Sequence, residues 1–97
     1  VWIGFPSNAP EWPDAFEGAQ RQIAAFADAV HAEGRGEQVR LLADDEENAN
    51  IARSLVGPDV IVQTERHGDI WLRDTGPICV SDGATRALVD FGFNGWG

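Results

Sequence analysis

The chain contains no lysine. All seven of its basic residues are arginine, against sixteen aspartates and glutamates, and the formal net charge is −9. Nucleic acid is therefore not expected as a partner, because phosphate binding needs a concentrated positive patch that displaces counterions. A cationic ligand would be drawn in instead. Cysteine is nearly absent too: Cys79 is alone, which excludes an internal disulfide and a disulfide-stapled scaffold. No apolar run is long, the strictly apolar residues 23–27 falling far short of the roughly 20 residues of a membrane-spanning helix. No basic, signal-like segment opens the chain. These absences lead us to expect a soluble, cytoplasmic protein with no membrane partner. Low-complexity linkers and short repeats are missing as well, so the 97 residues should hold no second domain.

What is present is ordinary for a globular chain, at 43% hydrophobic and 24% charged residues. At 10.5 kDa, a compact monomer would expose about 5,400 Å² and have a modest core. The sequence opens without methionine inside the apolar run Val1-Trp2-Ile3-Gly4-Phe5 and stops at Gly97 after an aromatic, glycine-rich stretch, so we expect a piece of a longer protein.

Residues 1–5 have the form of a buried strand, followed by a loop containing Pro6, Pro10 and Pro13. Asp14 with Glu17 three residues on predicts a capped helix start, and Ala19, Ile23, Phe26, Ala27 and Val30 recur at helical spacing as a core stripe. His31 in the last turn and Gly34 mark the helix end. Residues 38–43 read as a second strand. Asp44 and Glu47 repeat the capping pattern for a helix reaching about Val56, which Gly57-Pro58 stops. Residues 59–64 read as a third strand, and residues 77–81 and 86–91 as a hairpin across Asp82-Gly83. The order βαβαβ then ββ places the chain in the α/β class.

The irregular segment between the third strand and the hairpin concentrates the chemistry. It carries Trp71, Arg73, Asp69 and Asp74 in a loop after a strand, where α/β proteins place their sites. A carboxylate accepts two parallel N–H bonds from a guanidinium, and an indole face attracts the same flat cation, so Trp71 and Asp74 together would form a guanidinium pocket. The pocket requires the chain to turn between them, since residues three apart in an extended strand face opposite ways. Thr75-Gly76-Pro77 favours a turn. An ordinary structural role is also open, with Trp71 in the core and Asp74 capping a turn or paired with Arg53 or Arg86. Arg73 is expected to pin the loop by hydrogen bonds. His31 and His67 lack metal-ligand spacing and are assigned to the surface or to local hydrogen bonds. The run Asp44-Asp45-Glu46-Glu47 reads as helix capping rather than a metal site, and Gly34-Arg35-Gly36 follows a helix and is too short for a dinucleotide loop.

The run Asp69-Ile70-Trp71-Leu72-Arg73-Asp74-Thr75-Gly76-Pro77, followed by Val89-Asp90-Phe91-Gly92-Phe93-Asn94-Gly95-Trp96-Gly97, resembles the agmatine deiminase and bacterial-type peptidylarginine deiminase family. The opening Val1 to Pro6 and Trp12-Pro13 resemble the family's first strand and loop, so the likeness covers nearly the whole chain as an N-terminal part. It implies a pentein α/β propeller of ββαβ-type units, with residues 1–97 as a single fragment holding the first unit and part of a second. It implies hydrolysis of a guanidinium to a ureido group and ammonia: a cysteine thiolate attacks the guanidinium carbon, a histidine moves protons and two aspartates hold the nitrogens. No metal or organic cofactor is implied.

By motif match, Asp74 corresponds to the first of those aspartates, a catalytic and substrate-binding residue. Trp71 corresponds to an aromatic of the same pocket, and Asn94 and Trp96 complete the implied substrate-binding set. The family's cysteine, histidine and second aspartate have no counterpart here. Cys79, between Ile78 and Val80, is expected to be buried and inert. The 97 residues alone should therefore not turn over substrate. In the peptidylarginine relatives, arginines gripping a substrate carboxylate follow the aromatic-Asn pair, whereas Phe93-Asn94-Gly95-Trp96-Gly97 has none. This favours agmatine, converted to N-carbamoylputrescine in putrescine synthesis, as the small cationic substrate. Peptidylarginine deimination, or a guanidinium-binding or assembly fragment without catalysis, are the alternatives, and a homo-oligomer is compatible with each.

Overall fold

A computed structural model describes residues 1–94. Along the chain run β1 (Trp2–Gly4), α1 (Phe16–His31), β2 (Arg40–Ala43), α2 (Glu46–Leu55), β3 (Ile61–Thr64), the single turn α3 (Leu72–Thr75), β4 (Ile78–Ser81) and β5 (Arg86–Val89). The first three strands form one parallel sheet in the order β1-β2-β3, with Ile3 opposite Leu41 and Leu41 opposite Val62. Parallel neighbours need long crossovers, and α1 and α2 supply them. The chain is therefore α/β, as its alternation of patterns implied.

Side-chain alternation divides the central strand between two faces. On one face Leu41 and Ala43 join Ile3, Phe5, Val39 and Val60 in a core closed by Ala27, Ala49 and Ala52 of the helices. Alanine at these helical positions lets the helices approach the sheet closely. On the other face Leu42 is buried as well. Its register partner Gly4 meets Ile70, so the segment after β3, rather than a helix, lies against this side.

Helix starts depart from the expected caps. The α1 helix begins at Phe16, after Ala15, with no side-chain cap. Asp14 adopts a left-handed φ of 61° in a tight turn closed by the Ala15 N–H on the Trp12 carbonyl, so it lies outside the helix, and Glu17 pairs with Arg21 at 3.6 Å instead. For α2 the cap is Asp45 rather than Asp44: its carboxylate accepts the Asn48 N–H at 2.8 Å. Phe26, expected in the core stripe, is 55% exposed. The buried line of α1 runs through Ala19, Gln20, Ala24 and Ala27, and Phe26, about 100° around the helix from Ala27, turns outward. Past His31 the chain passes through three left-handed residues, Ala32, Glu33 and Gly34, of which only Gly34 does so without steric cost.

The hairpin forms as expected but is shorter, pairing Ile78 with Val89 through Ser81 with Arg86. None of its residues joins the core cluster. Cys79 is consequently exposed, which corrects its expected burial. The whole chain exposes 6864 Å², well above the area expected of a compact monomer of this mass. Its radius of gyration, 14.7 Å, likewise exceeds the roughly 13 Å of a compact hundred-residue domain. Among the described residues no helix is long and apolar enough to cross a membrane.

Asp82 closes the hairpin turn. Its carboxylate accepts the N–H groups of Thr85 at 2.7 Å and Ala84 at 2.9 Å and the Thr85 hydroxyl. These bonds, those of the Thr85 and Ala84 N–H groups foremost, push its pKa down to about 2 from an ordinary 3.8. Because the folded value is the lower one, the turn's contribution is complete above 3.8 and is lost as pH falls toward 2. An NMR titration should place the Asp82 carboxyl midpoint near 2, and Asp82→Ala should remove the protection of the Ala84 and Thr85 amides from exchange at neutral pH. A midpoint at the ordinary value would contradict the turn described.

Candidate functional site

The polar side chains that organise the carboxyl edge of the parallel sheet come from the loops after β1 and β2 and from α1 and α2. Ser7 Oγ donates to the Phe5 carbonyl at 2.9 Å and accepts the Asp44 N–H at 3.1 Å. Buried Gln20 donates through Nε2 to the Pro6 carbonyl at 3.0 Å and to Asn48 Oδ1 at 3.1 Å. Asn48 Nδ2 in turn reaches the Ser7 carbonyl at 3.3 Å and Asp45 Oδ1 at 2.9 Å. No buried side-chain polar atom among the described residues lacks a partner. Such a satisfied network fixes α1, α2 and the two loops relative to one another.

The segment after β3 rests on this platform. The Glu65 N–H reaches the Ala43 carbonyl at 2.8 Å, and the His67 N–H donates to Asp44 Oδ1 at 3.0 Å. The His67 ring lies between two carbonyls, with Nε2 3.1 Å from Leu42 O and Nδ1 2.9 Å from Asp69 O. Both are acceptors only, so a neutral ring donates to one of them and an imidazolium to both. Asp69 Oδ1 then accepts the Ile70 N–H at 2.6 Å. Ile70 crosses Gly4 so closely that a Cβ on Gly4 would stand 2.7 Å from Ile70 Cα.

From Ile70 the chain enters a single helical turn. The Asp74 N–H bonds to the Trp71 carbonyl at 3.0 Å, and the Gly76 N–H to the Leu72 carbonyl at 2.7 Å. The turn between Trp71 and Asp74 that a guanidinium pocket requires is therefore present. Trp71 is 56% exposed rather than in the core, and Asp74 is exposed. Among the described residues no hydrogen bond or ion pair engages the Asp74 carboxylate. Neither internal partner open to it is used: Arg53 holds Glu46 at 2.7 Å and Asn50 at 2.9 Å, and Arg86 lies in β5 opposite Ser81. The turn thus offers two carboxylate oxygens and an indole on an open surface, the acceptor set and flat face that suit a planar cation.

The other candidates fall elsewhere. Asn94 is exposed beyond β5, and Trp96 lies outside the described residues. Arg73 is exposed and makes no side-chain bond among the described residues, so it does not pin the loop as expected. It projects from the turn into solvent, and His67 does the pinning. No motif pointed to His67 because its partners are main-chain carbonyls, which leave no trace in residue type. Among the described residues no group of His, Cys, Asp and Glu could hold a metal ion, and the acidic run is structural. Asp44 takes the His67 N–H and Asp45 caps α2. Glu46 accepts from Thr64 and Arg53, which hold its carboxyl below the usual range.

Residues 1–97 match the family model described as Porphyromonas-type peptidyl-arginine deiminase. A curated protein of Streptomyces coelicolor is 39% identical over 98 residues, covering 100% of this chain and 28% of that protein. The agmatine deiminases of Pseudomonas putida and Stutzerimonas stutzeri are 34% and 37% identical over 98 and 99 residues, covering 100% of this chain and 26% of theirs. The chain spans about a quarter of the length of these relatives.

Close approach at Gly4 yields a paired test. Gly4→Ala forces a methyl against the Ile70 backbone and should cost about 1–3 kcal/mol in urea unfolding. Gly18→Ala, inside α1 with nothing within 4 Å of the new Cβ, should stabilise by about 0.5–1 kcal/mol. Equal effects of the two would remove the claim that the segment after β3 is seated on β1.

Proposed function

The chain belongs to the Porphyromonas-type peptidyl-arginine deiminase family, and from that premise we propose that it forms the opening part of a guanidinium hydrolase acting on agmatine. On this reading the parallel layer with its helices is the first unit of a pentein α/β propeller, and the hairpin begins the second. The observation that carries the reading is the Asp74 carboxylate, which has no internal partner among the described residues, on the turn that also presents Trp71.

Asp74 accepts two guanidinium N–H bonds, which fixes the plane of the cation and offsets a charge that would be costly to desolvate. Trp71 lies against its face. A cysteine thiolate and a histidine from outside residues 1–97 complete the chemistry. The thiolate adds to the guanidinium carbon, the histidine passes a proton to the nitrogen that leaves as ammonia, and water then releases the ureido product and restores the thiolate. Cys79 is not that nucleophile: it is exposed on the hairpin, and no histidine bonds to it among the described residues.

Agmatine is favoured over peptidylarginine by the names of the Pseudomonas putida and Stutzerimonas stutzeri relatives and by the absence of arginine from residues 93–97, where a carboxylate-reading branch would want one. Net charge of −9 suits a substrate with a cation at each end. The description of the matching family model favours peptidylarginine as the second reading.

The test uses the longer polypeptide that contains these residues. It should release ammonia from agmatine and not from peptidylarginine, and the opposite preference would replace the first reading with the second. Asp74→Asn keeps the shape and removes the charge, so kcat/KM should fall about a hundredfold or more while the melting temperature holds, as expected for loss of one preorganised charged contact. Near-normal turnover by that variant would refute the role given to Asp74. Calorimetric titration of the 97 residues alone with agmatine should show no saturable binding, whereas clear saturation would favour a binding module.

A further inference from the structure

Every hydrogen bond that joins residues 66–76 to the rest of the described chain is made by His67: its N–H to Asp44 Oδ1, and its ring Nε2 to the Leu42 carbonyl. The remaining bonds of the segment are internal to it, including His67 Nδ1 to the Asp69 carbonyl, Ile70 N–H to Asp69 Oδ1 and Leu72 N–H to the Ile70 carbonyl. The residue that carries the external bonds is therefore also the first link of the internal ones.

The Leu42 carbonyl is a firm anchor. It already accepts the Phe5 N–H at 2.7 Å, so the His67 ring takes its second lone pair at the junction of β1 and β2. Asp44, which holds the His67 N–H, is itself fixed by Ser7. Beyond His67 the segment makes no further hydrogen bond to the rest of the described chain; Ile70 lies against Gly4 and α3 packs near β1, contacts that are steric. Arg73, the one long cationic side chain of the turn, makes no bond that could replace it among the described residues.

We propose that His67 is a positioning residue for the Trp71–Asp74 turn, its ring donating through Nε2–H to the Leu42 carbonyl of the sheet, and in its doubly protonated form through Nδ1–H to the Asp69 carbonyl of the loop as well, so that the turn is held at the carboxyl edge of the sheet. The relevance to catalysis rests on the agmatine reading above. The structural part does not. His67 touches no substrate in this role; it sets where the Asp74 oxygens stand, and misplacement by a fraction of an ångström at a charged clamp is felt in rate.

Two amide variants separate the sheet link from the loop link. Glutamine places its N–H₂ near the Nε2 position and can still reach the Leu42 carbonyl. Asparagine places it near Nδ1 and can reach only the Asp69 carbonyl. Amide hydrogen exchange of the chain should show protection at Leu72, Asp74 and Gly76 falling about tenfold in His67→Ala and His67→Asn and staying within about twofold in His67→Gln, as for loss of one hydrogen bond. The α1 amides serve as the control and should not change.

In the longer polypeptide, kcat/KM for agmatine should follow the same order, low in the alanine and asparagine variants and restored in the glutamine variant. Unchanged exchange in His67→Ala, or rescue by asparagine and not by glutamine, would overturn the proposal. If the unsubstituted polypeptide leaves agmatine intact, the agmatine reading fails, and the exchange pattern alone decides the role of His67.

Discussion

Burial of β2 on both faces is the constraint from which the rest of the structure follows. Leu41 and Ala43 face the helices, Leu42 faces the other way, and all three are buried. The two crossover helices close the first face. The second must be closed by chain that has no regular structure to offer, and the segment after β3 does this. A loop laid over a sheet must place its backbone polar groups, which a helix would satisfy internally. Gly4 gives the loop room to come down on β1, and His67 ties it to β2. Closing the core and presenting Trp71 and Asp74 are thus one event, and the site inherits its position from the hydrophobic demand of the strand beneath it.

Acidic residues illustrate the same economy. Most of those near the carboxyl edge are committed to main-chain donors or arginine: Asp44 to His67, Asp45 to the start of α2, Glu46 to Arg53 and Thr64, Asp69 to Ile70. Asp74 is not. A net charge of −9 is therefore not a uniform property of the surface with Asp74 as one more member. Among the described residues its carboxylate has no local task, on a turn built by its neighbours' bonds, which is what the proposed role requires.

The parts legible in the sequence were those set by nearest neighbours along the chain. Strand and helix order followed from periodicity, the hairpin from Asp82-Gly83, and the turn at Trp71–Asp74 from Thr75-Gly76-Pro77. Misreadings arose where two signals competed or where the partner was distant. Asp14 matched a capping pattern, but the turn closed by Trp12 and Ala15 carried it into a left-handed conformation before the helix began. Asp44 matched the capping pattern with Glu47, but its carboxylate accepts the N–H of His67, over twenty residues away, and Asp45 caps α2 instead. Phe26 matched the helical stripe, but alanines formed the contact line. Arg73 had the chemistry to pin the loop and the wrong side of the turn. His67 had neither motif nor spacing, since carbonyl oxygens occur at every residue.

An exposed site and an exposed hairpin have a common physical meaning. Ile78, Val80 and their cross-strand partners Val89 and Ala87 share one face of the hairpin, since paired residues point the same way. That face is apolar, and Ile78 and Val80 are exposed. A carboxylate and an indole in open water hold a guanidinium weakly, because water competes for the N–H groups and screens the charge. The same pair under an apolar cover holds it strongly, since the local dielectric falls and unpaired charge becomes costly. For the Trp71–Asp74 turn to act as the proposed binding site, water must be excluded from it, which demands apolar surface around the turn. The hairpin carries exposed apolar side chains immediately after Pro77 in the sequence.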